Sequence, residues 1–327
     1  MTKPALTVTG LVKKYGNHVA VDGISFEVPR GSVFGILGPN GAGKSTTLRM
    51  INDIIAPDAG TITILDGLAP GHAAAKQIGY LPEERGLYPK MNVIDMIVFM
   101  GELRGLGHRE AKVRAHKWLD RLGLADWGKN KVQDLSKGMA QKVQFATALI
   151  HEPALVILDE PWSGLDPINA EVLVDVVEEI KSSGRTVMFS THQMESAEKV
   201  CDQVCIIARG RKVLDGRLKD IQRASVAEGV IALAFTDDAA KERAEPLLAD
   251  EKLVIERKPP RPGEHADCEV VLADGIKPDH FLKTLLNHDI GLRLFELVVP
   301  TLHQIFVQKV GAEAAVAARR DEEGAVA

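Results

Sequence analysis

The sequence predicts an α/β core built on a largely parallel sheet, followed by a small α+β domain. Three observations predict it. Up to about Asp215-Gly216, short β-branched runs alternate with helical patterns, as in a largely parallel sheet. A glycine-rich loop joins a buried strand, Val33–Leu37, to a helical stretch, Thr46–Ile51. Beyond about Asp220 the pattern changes to a short β-α-β-β-α-β series, a ferredoxin-like unit.

Each element of that second region has its own signal. Val230–Phe235 reads as a strand and Asp238–Ala249 as a helix. Leu253–Glu256 is a strand, closed by the Pro/Gly-rich turn Lys258-Pro-Pro-Arg-Pro-Gly263. Cys268–Leu272 is the next strand, Pro278–Leu286 an amphipathic helix and Leu292–Val298 a last strand. Pro300 then opens a helix with Leu302, Ile305, Phe306 and Val310 on one face. The Ala-rich end, with the charge cluster Arg319-Arg320-Asp321-Glu322-Glu323, reads as a frayed tail. The expected division is a core over 1–220, an accessory domain over 221–311 and a disordered tail over 312–327.

Composition excludes several classes. The chain has 327 residues, which allows two or three domains. Apolar residues are 45% and charged residues 26%, the balance of a folded globular chain. No run approaches the ~18 apolar residues of a membrane span. Met1-Thr-Lys-Pro-Ala5 lacks the apolar stretch of a signal peptide. Three cysteines build neither a disulfide framework nor a four-thiolate zinc site, so a reducing cytoplasm is expected. Cys201 and Cys205 have no histidine partners in sequence and read as buried thiols. The net charge of −5 gives no basic field, and no nucleic-acid partner is expected.

Gly38, Pro39, Asn40, Gly41, Ala42, Gly43, Lys44 and Ser45 fit the G-x-x-x-x-G-K-[ST] spacing, with Thr46 next. Glycines let backbone amides curl round phosphates without Cβ clashes. The following helix N-terminus adds partial positive charge. Lys44 has the length to reach β- and γ-phosphates, and the Ser45 hydroxyl suits Mg²⁺. Leu155-Val-Ile-Leu-Asp-Glu160 is an apolar strand ending in two carboxylates, at the end where open α/β sheets bind ligands. Asp159 suits the Mg²⁺ shell. Glu160 suits a base for an attacking water.

Further stretches narrow the class. Leu135-Ser-Lys-Gly-Met139 precedes the carboxylate strand, and Ser163-Gly-Leu-Asp-Pro167 follows it. Ser190-Thr-His192 ends another apolar strand, Val187–Phe189. With these motifs in this order, residues 5–220 resemble the ABC ATPases, nucleotide-binding subunits of ATP-binding-cassette systems. The resemblance implies a P-loop core, a mixed sheet with an inserted helical subdomain at about 84–135, and ATP and Mg²⁺ as ligands. Tyr15 matches the aromatic that stacks on adenine, although it also fits an ordinary strand-end aromatic. Gly38–Thr46 matches the Walker A loop. Ser136 and Gly138 lie in the signature, Asp166 matches the D-loop acid, and His192 matches the switch histidine. Two such cores sandwich ATP head to tail, so a homodimer is expected.

Two departures stand out. Glu83 occupies the position where the family writes Gln, and as an oxygen ligand it keeps a possible contact to Mg²⁺. Lys137 and Met139 replace Gly and Gln in the signature, while Ser136 and Gly138 are kept. Pro82-Glu-Glu-Arg-Gly-Leu-Tyr88, the signature and the extra domain resemble an exporter branch that includes bacterial sodium-extrusion ATPase subunits. There the permease is a separate polypeptide. The resemblance thus implies an ATPase on the cytoplasmic face of the membrane, partnered with a permease. The apolar pattern of Met91–Leu103 fits either the core of the helical insert or the edge of a groove for that permease. The alternative is a soluble ABC ATPase of a non-transport machine. One phosphate loop, and the short interval from Lys44 to Ser136, speak against its translation and DNA-repair forms. A regulatory module without turnover would rest on Glu83 and the altered signature.

Overall fold

The computed structural model describes residues 3–84, 86–226, 230–260 and 265–311. Its contacts divide the chain into two units, one holding Met1–Leu218 and the other Lys219–Gln308. The tail expected over 312–327 lies outside the described residues, as does part of the turn expected at Lys258–Gly263.

The first unit opens with β1 (Leu6–Tyr15), β2 (His18–Val28), β3 (Val33–Leu37) and α1 (Lys44–Ile51). There follow β4 (Ala59–Ile64), α2 (His72–Ala75) and β5 (Ile78–Leu81). The helices α3 (Val93–Leu103), α4 (His108–Arg121) and α5 (Lys137–Leu149) come next, with single 3₁₀ turns at Ala125–Trp127 and Val132–Asp134. The unit closes with β6 (Leu155–Asp159), α6 (Pro167–Ser182), β7 (Thr186–Thr191), α7 (Met194–Val200), β8 (Gln203–Ala208) and β9 (Arg211–Arg217).

Six of these strands form one sheet in the order β5-β6-β7-β3-β8-β9. All its pairs are parallel except β8–β9. The strands β3, β6 and β7 are buried at every position, which explains their unbroken apolar runs. A smaller antiparallel sheet, β2-β1-β4, packs its apolar side chains with those of β3 and α1 in one core that includes Leu6, Ile24, Ile36 and Leu48. The β8–β9 turn is two residues long. Arg209 at φ 50° and Gly210 at φ 78° give the left-handed pair that a tight hairpin requires.

Two boundaries differ from the sequence reading in a way that matters. The helix read as Thr46–Ile51 begins at Lys44, so the amides of its first turn face the glycine loop without acceptors inside the helix. The strand read as Val187–Phe189 runs on to Thr191, because pairing with β3 and β6 continues past the apolar residues. Smaller shifts place the β-strand read as Leu253–Glu256 at Val254–Lys258 and begin the Met91–Leu103 helix at Val93.

The helix α8 (Leu218–Val226) follows β9. The second unit holds β10 (Val230–Phe235), α9 (Asp238–Leu248), β11 (Val254–Lys258), β12 (Cys268–Leu272), α10 (Pro278–Asn287) and β13 (Leu292–Leu297). Its sheet order is β11-β12-β10-β13, antiparallel throughout, which is the ferredoxin-like arrangement. Ile231, Leu233, Val270, Phe281 and Leu285 form its core. Residues 302–311 are helical, and Leu302 and Ile305 are buried on one face.

The cysteines are packing residues. Cys205 is fully buried, and burial pushes its thiol up to about 12. Burial also raises Cys201 well above the ordinary thiol range. Neither is poised for thiolate chemistry. Trp118 and Trp127 are half-buried.

Candidate functional site

The sheet order makes β6, β7 and β3 neighbours, and all three run the same way. Their C-terminal ends therefore deliver their side chains to one place. From β3 comes the loop Gly38–Gly43, from β6 Asp159 and Glu160, and from β7 Ser190, Thr191 and His192. Register fixes the match: Leu37 lies opposite Thr191 and Asp159 opposite Ser190.

Backbone space shapes the loop. A Cβ on Gly38 would collide with the Ile207 carbonyl, and one on Gly43 with the Ala20 carbonyl. Both glycines also have positive φ, at 154° and 100°. The sequence spacing thus reflects contacts with β8 and β2 as well as room for a ligand. Pro39, Asn40 and Gly41 are exposed at the loop tip, while Ala42 is buried.

Lys44 is 5% exposed. Its Nζ donates to the carbonyls of Gly38 (2.9 Å) and Pro39 (3.1 Å) and stands 3.5 Å from Glu160 Oε1. The ammonium is therefore held inside the curl of the loop. Thr46 follows on the first turn of α1, half-buried.

Asp159 is 1% exposed. Its Oδ1 accepts from the hydroxyls of Ser45 (3.1 Å) and Ser190. Its Oδ2 is buried with no hydrogen-bond partner among the described residues. Burial raises the Asp159 pKa above the usual carboxylate range, opposed by the two hydroxyl bonds. A buried carboxylate oxygen without a donor, beside a serine hydroxyl, is the donor set that a hard divalent cation takes. Among the described residues no three His, Cys, Asp or Glu side chains form a complete cage. Such a cation would draw its remaining oxygens from a ligand or water.

Glu160 is 6% exposed and has φ 48°, a left-handed backbone for a residue with a Cβ. That conformation costs about 1–2 kcal/mol. Its N–H donates to the Ser190 carbonyl at 3.0 Å, which helps hold the bend. The carboxylate accepts from Thr191 Oγ1 at 3.1 Å and from His192 Nδ1 at 3.1 Å. A carboxylate only accepts, so Nδ1 carries the proton. Glu160 is thus a buried base candidate oriented by two donors and faced by a lysine.

The remaining sequence-selected residues sit elsewhere around this cluster. Glu83 is exposed, two residues beyond β5, whose Leu81 pairs with Leu158 of β6. The Tyr80 hydroxyl is pushed up to about 12, chiefly by burial, with Asp159 and Glu83 adding to it and Arg49 opposing. Tyr15 ends β1 and is 49% exposed, with Lys13 Nζ 5.7 Å from its ring centroid. It belongs to the hairpin whose Ala20 abuts Gly43.

Ser136 and Asp166 form a different group. Ser136 is exposed and caps α5 by accepting from the Met139 amide at 3.2 Å. Asp166 caps α6, accepting from the Asn169 amide at 2.9 Å, and this bond holds its carboxyl below the usual range. The two caps adjoin: a Cβ on Gly138 would stand 3.5 Å from Leu165 and 3.8 Å from Asn169. Lys137 is exposed at the first position of α5.

Several residues escaped sequence reasoning. Gln141 Nε2 reaches the Pro161 carbonyl at 3.2 Å, and Gln144 Nε2 reaches the Pro82 carbonyl at 2.9 Å. The helix headed by Ser136 is thereby bonded to the segments carrying Glu160 and Glu83. Trp162 is buried edge-on against Phe189, 4.7 Å between centroids, and anchors the turn after Glu160. Buried glutamines inside an otherwise apolar helix face were the available signal. No helix among the described residues is long and apolar enough to cross a membrane.

Comparison with known proteins agrees with this architecture. Residues 21–163 match the family model described as ABC transporter. The chain is 39% identical over 319 residues to YhaQ of Bacillus subtilis (strain 168), an uncharacterized ABC transporter ATP-binding protein, covering 94% of this chain and 99% of that one. It is 39% identical over 216 residues to the Nod factor export ATP-binding protein I of Ralstonia nicotianae, covering 65% and 67%. Among solved structures, the ATP-binding subunit of an ABC transporter superposes with a TM-score of 0.63 at 32% identity, covering 68% of this chain and 93% of that one.

Proposed function

This chain belongs to the family of ABC transporter ATP-binding proteins, and we propose that it is the ATP-hydrolysing subunit of an exporter whose permease is a separate polypeptide. The observation that carries the reading is the buried Glu160 carboxylate, fixed by Thr191 and His192 and set 3.5 Å from the lysine of the phosphate loop.

In this reading Tyr15 stacks on adenine, and the loop from Gly38 to Thr46 wraps the phosphates with its amides and Lys44. Ser45, Asp159 and Glu83 would hold Mg²⁺, for which the orphaned Asp159 Oδ2 is the best-suited ligand atom. When bound, Mg²⁺ neutralises charge on the phosphate oxygens. Glu160 takes a proton from the attacking water as its oxygen bonds the γ-phosphorus and the bond to the β-phosphate oxygen breaks. ADP and phosphate leave. His192 positions the γ-phosphate. Donating from Nε2 as well as Nδ1 requires its imidazolium form.

Ser136, Gly138 and Asp166 serve a second copy of the chain. They head exposed helix N-termini, which favour anions. ATP held between the loop of one copy and the signature of the other drives a head-to-tail homodimer, because the nucleotide binds the closed form better. The permease docks on an apolar hollow lined by Tyr88, Pro89, Met91 and Phe99, at the start of the helical insert. The chain then works on the cytoplasmic face of the membrane. Export is supported by the Nod factor export relative.

Affinity purification of the tagged chain from gently solubilised membranes tests this assignment. A stoichiometric multi-span protein is expected to co-purify. Recovery with ribosomes, with nucleic acid or with no partner would overturn the exporter reading and leave a soluble ATPase.

A further inference from the structure

Behind the phosphate-binding helix lies a cavity of about 200 Å³ that none of the residues discussed above as nucleotide or metal ligands lines. Four elements meet there. Ile51 and Ile54 come from the end of α1 and the turn after it, Ala74 from α2, Ile78 and Tyr80 from β5, and Arg104 from the end of α3. Ile51, Ala74 and Ile78 are buried and give it apolar walls. Ile54 is 55% exposed and marks the side open to solvent.

Arg104 is out of keeping with those walls. Its guanidinium is half-buried and uses one N–H, from Nη1, on the Ala75 carbonyl at 2.5 Å. It forms no ion pair among the described residues, in contrast to Arg114 and Arg121, which have Glu110 and Glu179. Burial holds its pKa below the ordinary guanidinium value. Acids stand near the lining, Asp53 by Gly71 and Asp159 and Glu83 within electrostatic reach of Tyr80, but among the described residues none pairs with Arg104. His151 senses Arg104, but burial first and that charge second hold it down to about 4, so it is neutral at pH 7 and adds no second charge. None of its guanidinium nitrogens is among the fully buried groups left without a partner, so the edge not used on Ala75 is open to an incoming anion.

We propose that this cavity binds a small monocarboxylic acid with a compact branched hydrocarbon body. The carboxylate takes the free edge of the Arg104 guanidinium, and the hydrocarbon lies against Ile51, Ala74 and Ile78. At roughly 30 Å³ per water-sized group, about six or seven non-hydrogen atoms would fill the space, which stays open to solvent at Ile54. The walls choose its chemistry: a bare inorganic anion would satisfy Arg104 and leave apolar surface wet, while a neutral hydrocarbon would leave the charge unpaired.

The test uses the full-length, nucleotide-free chain and four probes: 2-methylpropanoate, 3-methylbutanoate and their two primary amides. Binding is followed by calorimetry and saturation-transfer NMR. The acids are expected to bind with Kd below about 1 mM and the amides at least about tenfold more weakly, the difference a charge-assisted pair makes. Arg104→Gln should bring the acids to the level of the amides, and Ala74→Leu should exclude all four. Equal binding of acid and amide, acid binding that survives both substitutions, or no acid binding up to about 10 mM would each overturn the site. The acid–amide comparison needs no variant, so it stands even if a substitution disturbs folding.

Discussion

The phosphate-loop cluster and the Ser136–Asp166 surface contrast in how they are held. Lys44, Asp159 and Glu160 are almost fully buried, and the contacts that join them to one another, to Ser45 and to Thr191 link segments that lie far apart in the chain. Ser136 and Asp166 are exposed, and each bonds an amide three residues onward in its own helix. One region is finished within the chain, with its geometry set by three adjacent strand ends. The other presents two helix N-termini outward, where the proposed second copy would complete it. Substitutions should therefore act differently in the two places.

The largest effect is expected at Glu160. Glu160→Gln should cut phosphate release by about 10²-fold or more while ATP binding is retained or tightened. Tightening follows because the buried Lys44 loses the carboxylate facing it at 3.5 Å. Phosphate-release kinetics with a nucleotide-binding titration measure both, and near-normal turnover would remove Glu160 as the base. Ser136→Ala sharpens the contrast. It should lower turnover about tenfold while nucleotide affinity at low protein concentration stays unchanged, with loss of a cap costing about 1 kcal/mol of stability. An equal fall in single-chain affinity would erase the distinction between the regions.

The smallest effect concerns the stability of the cluster itself. The Asp159 pKa is raised in the folded chain, so that chain binds its proton more tightly than the unfolded one. Stability contributed by this group is lost as pH rises from the ordinary carboxylate value through the raised one. Asp159→Asn removes the buried charge. The nucleotide-free variant should melt roughly 2–4 °C higher at pH 7, with less advantage near pH 4. Calorimetric melts at both pH values check this, and an unchanged or lower Tm at pH 7 would show that the hydroxyls of Ser45 and Ser190 already offset the burial.

Legibility in the sequence followed locality. The glycine loop was readable because a fixed spacing carries its chemistry, and the Asp159-Glu160 pair because it closes an apolar run. The β-α-β-β-α-β series of the second unit was readable because turn chemistry punctuates each short strand. Ser190 and Thr191 were visible only as polar letters after a strand. Their hydroxyls acquire partners when β7 lies between β6 and β3. Gln141 and Gln144 gain meaning only once α5 packs against the segments holding Pro161 and Pro82. The solitary charge of Arg104 had no signature, because the cavity walls come from four separate elements.

The fold class, the phosphate loop, the carboxylate pair and the order of the second unit are legible in the chain before it folds. All of these are encoded in short-range spacing and apolar periodicity, which local backbone preferences read directly. Only the folded chain settles, among the described residues, which oxygen of Asp159 is left without a donor, which groups aim Glu160 and which arginine has no ion-pair partner. Those properties depend on burial and on the order in which strands pair, and both arise only when distant segments exclude water together.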